Sequence, residues 1–371
     1  MKRRKVLFIV PHMGIGGAER VLSTILGKLD RGRFEPVLVV YERKIEYDIP
    51  SDVMVIDMGI PGGGNIFAGS LNFFRRIFEI RDIINRERPD AVLTMLTGPI
   101  PIISARISGA RPRVVVRETS FPSHNLTGIK GAVHKFLISA FYPRADAIVA
   151  VSNDIKRELN RNYHVPAGKI VVIHNPIDLK MVREMSEEPV DEKLFGGKTH
   201  VIAAVGRLTY AKGYPHLLGA FRMLLEERKA RLVIVGDGEL EGELVRMSKE
   251  MGIQDSVSFM GFRKNPFKYV RRADIFVLSS VFEGFPNVLV EAMACGTPVI
   301  STDCRSGPSE IITDGVNGLL VPVRDERAMC SAMSRLLEDK PLRKKLSRNG
   351  LDRASEFDAG KIIREYEKAL S

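Results

Sequence analysis

The chain has 371 residues, of which 44% are hydrophobic and 27% are charged, a composition that indicates a globular protein and excludes a disordered one. This length is too great for one ordinary hydrophobic core and predicts two domains. The charge is uneven, because residues 1–185 hold 28 Lys and Arg against 18 Asp and Glu, whereas the remaining residues hold 28 against 27. The basic first half makes nucleic acid and anionic lipid candidate partners.

The three cysteines, Cys295, Cys304 and Cys330, are odd in number and lack metal-ligand spacing, which favours a reducing cytoplasm. The apolar run at residues 6–11 is too short for the core of a signal peptide and continues into a glycine turn, so it predicts a first strand. No stretch reaches the roughly 20 apolar residues of a spanning helix. We therefore expect a cytoplasmic protein without a spanning helix.

The first half of the chain predicts a doubly wound α/β domain. A strand at residues 5–11, the loop HMGIGGAER and a helix at 18–29 form a βα unit. Gly14 and Gly16 have the spacing of a dinucleotide fingerprint, but Glu19 stands at the third glycine position, which argues against a nicotinamide cofactor. Further strands are predicted near residues 35–41, 53–57, 91–95, 113–117 and 147–151.

A second doubly wound domain is predicted from the strand at residues 201–206 onwards. The segment GRLTYAKG places Arg207 and Lys212 directly after that strand. Further along, a buried strand at 274–278 is followed by a loop with Glu283 and by a helix that opens near Asn287. The backbone N–H groups of the first helical residues, Asn287, Val288 and Leu289, lack partners within the helix, so we expect them to offer a phosphate site.

Two glutamates stand out in this second domain. Glu283 and Glu291 are separated by seven residues and followed by AMACGTPVI, an arrangement that resembles the E-x7-E signature of the retaining glycosyltransferases of family 4. Taken singly, Glu283 could be a loop charge and Glu291 a solvated helix residue. The resemblance extends from GGAER at residues 16–20 through GRLTYAKG to GVNGLLVP, nearly the whole chain.

The resemblance implies the α/β architecture called GT-B, with two Rossmann-like domains facing a central cleft. It implies a retaining transferase that moves a sugar from a nucleotide sugar to an acceptor. The implied divisions are an acceptor-binding domain at residues 1–176, completed by a crossover helix at 357–371, a linker at 177–198 and a donor-binding domain at 199–356.

The resemblance also implies roles for matching positions. Glu291 would hold the ribose hydroxyls, Glu283 would contact the donor sugar, and two cations would bind the pyrophosphate. The sequence has no Asp-x-Asp triplet, so we expect no metal site and no cofactor. The implied donor-binding residues are Gly16, Gly17, Arg207, Lys212, Gly261, Phe262, Arg263, Asn287, Val288, Leu289 and Glu291.

The sequence departs from the family after the strand at residues 113–117. Many members place a catalytic histidine there, whereas this chain has Glu118, with His124 further along. We consider both residues, together with Glu283, as candidate catalytic groups. His124 is the weaker candidate because a single histidine in a loop is more often a surface residue.

Two segments, at residues 65–88 and 128–144, mix phenylalanines with basic residues. Such helices can lie in a membrane interface, although each must also cover a sheet. Together with the charge balance, they favour attachment to the inner face of the cell membrane. The basic residues are Arg75, Arg76, Arg81, Lys130 and Lys135.

These observations predict a retaining, metal-independent glycosyltransferase that uses a UDP-hexose or UDP-N-acetylhexosamine. Its acceptor is expected to be lipid-linked or a glycan, in the synthesis of cell-surface polysaccharide. A nucleotide-sugar epimerase or a phosphorylase on the same fold is an alternative. We do not expect nucleic-acid binding, because the arginines alternate with Phe and Ile at helical spacing and no nucleic-acid motif occurs.

Overall fold

The structure is a computed structural model that describes residues 2–60, 66–95, 98–122, 128–190, 195 and 199–371. The side chains of residues 66–71, 129 and 130 are outside this description. The chain forms two compact units. Unit 1 is Met1–Pro176 with Ala359–Ser371, and unit 2 is Ile177–Asp358.

Unit 1 is built on a parallel sheet in the order β3-β2-β1-β4-β5-β6-β7. The strands are β1 (Arg4–Val10), β2 (Phe34–Val40), β3 (Met54–Asp57), β4 (Ala91–Thr94), β5 (Arg113–Glu118), β6 (Ala147–Ala150) and β7 (Ile170–Val172). Their near-continuous apolar runs are typical of parallel strands covered on both faces. The strand order reverses between β1 and β4, and we call this place the first switch point.

Helices cover the sheet of unit 1. They are α1 (Gly17–Lys28), α2 (Ile66–Glu87), α3 (Ile100–Ile107), α4 (Gly128–Phe141) and α5 (Asn153–Tyr163). Helix α1 buries Val21, Leu22, Ile25 and Leu26, which recur at helical spacing on one face. No helix in the described ranges is both long enough and apolar enough to cross a bilayer.

Unit 2 repeats the winding with a sheet in the order β10-β9-β8-β11-β12-β13. The strands are β8 (His200–Val205), β9 (Ala230–Val235), β10 (Val257–Phe259), β11 (Ile275–Leu278), β12 (Val299–Thr302) and β13 (Leu319–Val321). All pairs are parallel. The order reverses between β8 and β11, and we call this place the second switch point. In open α/β sheets, ligands bind outside the carboxyl ends of the strands at such points.

The helices of unit 2 are α6 (Leu179–Ser186), α7 (Tyr214–Glu227), α8 (Glu241–Glu250), α9 (Phe267–Arg272), α10 (Asn287–Ala294), α11 (Pro308–Ile311), α12 (Glu326–Glu338) and α13 (Lys340–Ala354). Helix α6 lies inside the stretch 177–198 that the sequence suggests as a linker. It begins because the Asp178 side chain accepts a hydrogen bond from the Met181 amide at 3.2 Å. It packs on α9 and α10 and so belongs to unit 2.

The last helix, α14 (Ala359–Leu370), returns to unit 1. It buries Ile362, Ile363 and Leu370 against the core of that unit. The Arg113 Nε donates to the carbonyl of Ala369 at 2.8 Å, so the helix is also tied to β5. Short 3-10 turns lie at Tyr142–Arg144, Ala167–Lys169, Tyr210–Lys212, Gln254–Ser256 and Ser355–Phe357.

Candidate active site

An ion pair spans the second switch point. Lys212 follows β8 and Glu283 follows β11, and the Lys212 Nζ lies 2.6 Å from the Glu283 Oε1. The Ser280 hydroxyl donates to the same oxygen at 2.6 Å. The two charged side chains are only 22% and 10% exposed, so solvent screens them weakly. The structure thus brings together two of the predicted site residues.

The two loops can meet because Gly213 has no side chain. Its φ of +62° is in the left-handed region, and a Cβ there would lie 2.1 Å from the Ser279 carbonyl oxygen. Two hydrogen bonds from the loop after β11 to the loop after β8 close the contact. The Val281 amide donates to the Ala211 carbonyl at 2.8 Å, and the Ser279 hydroxyl donates to the Lys212 carbonyl at 2.8 Å. The backbone therefore fixes the position of Lys212 relative to Glu283.

The loops that follow the neighbouring strands lie at the same edge of the sheet. The Gly236 amide donates to the Gly261 carbonyl at 2.9 Å, and a Cβ on Gly236 would lie 2.0 Å from the Gly206 carbonyl oxygen. The loops after β8, β9 and β10 are consequently in contact. Phe262, the residue after Gly261, is 41% exposed. Arg207 and Arg263 are exposed in the same group of loops.

Glu291 lies on α10 and is only 5% exposed, which rules out a freely solvated helix residue. Burial, assisted by the Glu291 charge, raises the pKa of the nearby Cys295 thiol to about 12. Burial and the Glu283 charge likewise raise the pKa of Cys304 to about 12. Both thiols therefore stay protonated near neutral pH and are poor nucleophiles.

The expected phosphate site at the start of α10 is partly occupied by the protein itself. The Asn287 amide donates to the Phe285 carbonyl and the Leu289 amide donates to the Pro286 carbonyl, each at 3.0 Å. Both acceptors precede the helix, so these bonds do not contradict the expectation that the three amides lack partners within it, but two of the three amides already bond to the preceding turn. Among the three, the described part of the chain leaves only Val288 without such a backbone acceptor.

In the described ranges, His, Cys, Asp and Glu side chains do not gather in groups of three that could hold a metal ion.

In unit 1, Gly16 precedes α1 and Gly17 is its first residue. The φ of Gly16 is −173°, an extended conformation that any residue adopts, so its backbone does not require glycine. A Cβ at Gly16 would instead lie 2.2 Å from the Glu19 Oε2. Gly16 is therefore needed to make room for Glu19, a role that the sequence alone did not indicate.

Glu118 is fully buried at the end of β5. Its Oε2 accepts a hydrogen bond from the Tyr142 hydroxyl at 2.8 Å. Burial and the charge of Glu118 raise the pKa of Tyr142, so the phenol remains a donor. In this conformation the carboxylate does not reach solvent and holds Tyr142 rather than a substrate. His124 lies outside the described residues.

Sequence reasoning overlooked the role of Arg117, the neighbour of Glu118. Its side chain is 1% exposed, its Nε donates to the Tyr366 hydroxyl at 2.8 Å, and its Nη2 donates to the Asn175 Oδ1 at 2.5 Å. Arg117 thus ties β5 to the C-terminal helix and to the end of the first segment of unit 1. The sequence signal for this role is a cationic residue directly after the apolar run VVV, because a charge that is buried at the end of a strand needs dedicated partners.

Comparison with known proteins decides the family. Residues 15–181 match the family described as Glycosyltransferase Family 4, and residues 186–353 match Glycosyl transferases group 1. A curated Campylobacter jejuni protein is 34% identical over 99% of both chains. It is named N-acetylgalactosamine-N,N'-diacetylbacillosaminyl-diphospho-undecaprenol 4-alpha-N-acetylgalactosaminyltransferase. The chain belongs to the group 1 glycosyltransferases.

A further relative and two solved structures are similar to this glycosyltransferase. An Escherichia coli protein named UDP-Gal:alpha-D-GlcNAc-diphosphoundecaprenol alpha-1,3-galactosyltransferase is 28% identical, with 72% of this chain and 71% of the relative covered. The crystal structure of a Rickettsia africae glycosyltransferase gives a TM-score of 0.84 at 17% identity, covering 100% and 98% of the two chains. Anabaena Alr3699/HepE with UDP and glucose gives 0.81 at 22% identity, covering 99% of each. The fold is GT-B, with two Rossmann-like units.

Proposed function

We propose that this glycosyltransferase moves a hexose or N-acetylhexosamine from UDP to a lipid-linked acceptor, with retention of configuration and without a metal ion. The observation that carries the donor side is the Lys212–Glu283 pair across the second switch point. The lipid-linked acceptor is supported by the Campylobacter and Escherichia relatives, whose names both include a diphospho-undecaprenol group.

The ion pair suggests how donor binding proceeds. Lys212 and Glu283 neutralise each other, and a diphosphate that binds the Lys212 ammonium competes with this carboxylate. Glu283 can then accept a hydrogen bond from a hydroxyl of the donor sugar, while Ser280 still holds it in place. Breaking a buried ion pair is compensated only when each charge gains a new partner, so nucleoside diphosphate and sugar must bind together.

Departure of the diphosphate requires positive charge at the position where negative charge develops. Lys212 provides a fixed cation there, and Arg207 lies in the same loop. We assign to Glu291, a buried residue of α10, the role of accepting hydrogen bonds from the ribose diol. Catalysis on this account comes from positioning and electrostatics rather than from a nucleophilic side chain.

The donor assignment is tested by thermal shift with UDP-, GDP-, ADP- and dTDP-sugars, because a ligand that binds the folded state raises its apparent stability. We expect a UDP-sugar to give the largest shift. The anomeric configuration of the product, read by NMR, then tests retention. Donor epimerisation or phosphorolysis without transfer to any acceptor would instead support the alternative enzymes.

Exposed residues of α2 and α4 form the candidate surface for membrane attachment. On α2, Phe74 and Phe78 are 58% and 48% exposed and lie one turn apart, with Arg75 exposed beside them. On α4, Phe136 is 69% exposed and Lys135 is exposed next to it. Exposed aromatic and basic residues together favour an anionic lipid interface. We propose that both helices contact the membrane that carries the acceptor.

Two of the arginines first considered for this surface have other partners. Arg76 stacks on Tyr41, with its guanidinium carbon 4.8 Å from the ring centroid. Arg81 pairs with Asp82 at 2.7 Å and lies over the ring of Phe78. Arg75 is therefore the arginine of α2 best placed to face lipid head groups. Lys130 lies outside the described side chains.

Sedimentation with anionic liposomes tests this surface. The double change Phe74→Ser and Phe78→Ser should abolish most binding, and Arg75→Glu should weaken it by about 1 to 2 kcal/mol and increase its salt sensitivity. Arg86→Glu, at the far end of the same helix, is the matched control for the change in charge. Equal losses for Arg75→Glu and Arg86→Glu would show that general charge, not this surface, governs attachment.

A further inference from the structure

The loop after β1 is held rigidly at the first switch point. The Met13 amide donates to the Lys44 carbonyl at 2.8 Å, and the Glu46 amide donates to the Met13 carbonyl at 2.9 Å. The Tyr47 hydroxyl donates to the Gly16 carbonyl at 3.0 Å. The segment after β2 therefore fixes the loop, and side chains that project from it have defined positions.

Two polar side chains approach each other here, His12 from the loop and Glu19 from the first turn of α1. The Nδ1 of His12 lies 3.8 Å from the Glu19 Oε1, too far for a hydrogen bond. The same nitrogen accepts a hydrogen bond from the Gly14 amide at 3.1 Å. Because Nδ1 is an acceptor, the neutral ring carries its proton on Nε2. His12 is 44% exposed, so this N–H is available to a ligand.

Glu19 supplies the complementary acceptor. Its side chain is 17% exposed and is folded back into the space that a side chain on Gly16 would occupy. Glu19 lies in the first turn of α1, where the positive end of the helix dipole attracts its carboxylate. A sugar hydroxyl can donate to a carboxylate and accept from an imidazole N–H at the same time, so the two groups together match one hydroxyl.

We propose that His12 and Glu19 bind a hydroxyl of the acceptor sugar and thereby help to select the acceptor. The inference rests on the proposed function, and it deepens that function by naming acceptor-binding residues in unit 1. Three observations carry it: the pair of side chains, the glycine that makes room for the carboxylate, and the position of the loop at a switch point, where ligands of open α/β sheets bind.

Steady-state kinetics of Glu19→Gln and His12→Ala test the pair, with diphospho-undecaprenol-linked N-acetylhexosamines as acceptors. We expect kcat/KM for the acceptor to fall about 10- to 100-fold, the scale of a lost hydrogen bond to a charged group. The KM for the UDP-sugar and the rate of its hydrolysis without acceptor should change less than about twofold. Gly16→Ala should produce the same acceptor defect, because it displaces the carboxylate while keeping both side chains.

Glu35→Gln is the matched control, since Glu35 lies in the same unit on β2 and pairs with Lys5. A normal acceptor kcat/KM in Glu19→Gln, or an equal loss in Glu35→Gln, overturns the proposal. Parallel losses for donor and acceptor, with a lowered Tm, would assign Glu19 a structural role and also overturn it.

If the wild type transfers to no lipid-linked acceptor, the proposed function fails instead. Saturation-transfer NMR with free N-acetylglucosamine then tests sugar binding by His12 and Glu19. A signal in the wild type that Glu19→Gln abolishes supports the proposal, and the absence of a signal in the wild type overturns it.

Discussion

The two switch points of the molecule carry polar pairs of different kinds. At the second, Lys212 and Glu283 come from loops after two different strands and form a close, largely buried ion pair. At the first, His12 lies in the loop after β1 and Glu19 in the first turn of α1, and the two side chains are too far apart for a hydrogen bond. The same sheet winding thus presents fixed opposite charges in unit 2 and separate hydrogen-bonding groups in unit 1. Fixed charge suits a diphosphate, whereas separate donors and acceptors suit hydroxyl groups.

Glycine has a different role in each unit, and this difference gives the largest expected effect. Gly213→Ala should destabilise unit 2 by roughly 2 to 4 kcal/mol, because the left-handed backbone and the Ser279 carbonyl both oppose a Cβ. Gly16→Ala should leave the unfolding free energy nearly unchanged, since its backbone is extended and only a flexible carboxylate must move. Urea unfolding of both variants measures this. Equal destabilisation would contradict the distinction.

Lys212→Ala should lower kcat by about a hundredfold, the scale of losing one preorganised electrostatic group. It also leaves the Glu283 carboxylate without its cation, so donor affinity should fall with turnover. The check is single-turnover transfer from a UDP-sugar. The matched control is Lys180→Ala, an exposed lysine on α6. Turnover like that of wild type in Lys212→Ala would remove the central observation behind the proposed donor site.

Glu291→Ala should weaken UDP binding by roughly 1 to 3 kcal/mol, because a charge-assisted hydrogen bond to the ribose is lost. Isothermal titration with UDP measures this loss. Glu19→Gln, the corresponding change in unit 1, should bind UDP normally. An effect of Glu19→Gln on UDP affinity would mean that the carboxylate in unit 1 serves the donor as well.

The smallest effect is expected from chelation. If Lys212 and Arg207 neutralise the leaving diphosphate, added EDTA should leave the transfer rate unchanged within about twofold. A requirement for magnesium or manganese would show that protein cations are insufficient. The assay needs only wild-type enzyme, a UDP-sugar and the preferred acceptor.

Much of the fold could be predicted because buried parallel strands leave a plain signal. Apolar runs such as VVV in β5, together with turn residues between them, locate most of the strands. The helix at Leu179–Ser186 was overlooked because residues 177–198 were taken as a linker, although Asp178 is a good helix N-cap. Its amphipathic face is short, and its packing partners are distant in sequence.

The site was only partly predictable, for a different reason. The spacing of Glu283 and Glu291 identified the region, but the contact between Lys212 and Glu283 depends on a loop crossing that Gly213 permits. Glu19 was noted only as a mismatch to a dinucleotide fingerprint. Its interaction with Gly16 is a steric relation in three dimensions that no periodic pattern reports.

The return of α14 to unit 1 has a consequence for synthesis on the ribosome. Domains emerging from the ribosome generally fold as units, N-terminal first. Here unit 1 begins the chain, but it acquires its last helix only after the whole of unit 2 has been translated. Until then, Arg117 lacks the Tyr366 hydroxyl, and the surface that Ile362 and Leu370 cover is open to other chains. A nascent chain that terminates before residue 359 therefore has an incomplete unit 1 with exposed apolar surface, even when unit 2 has folded.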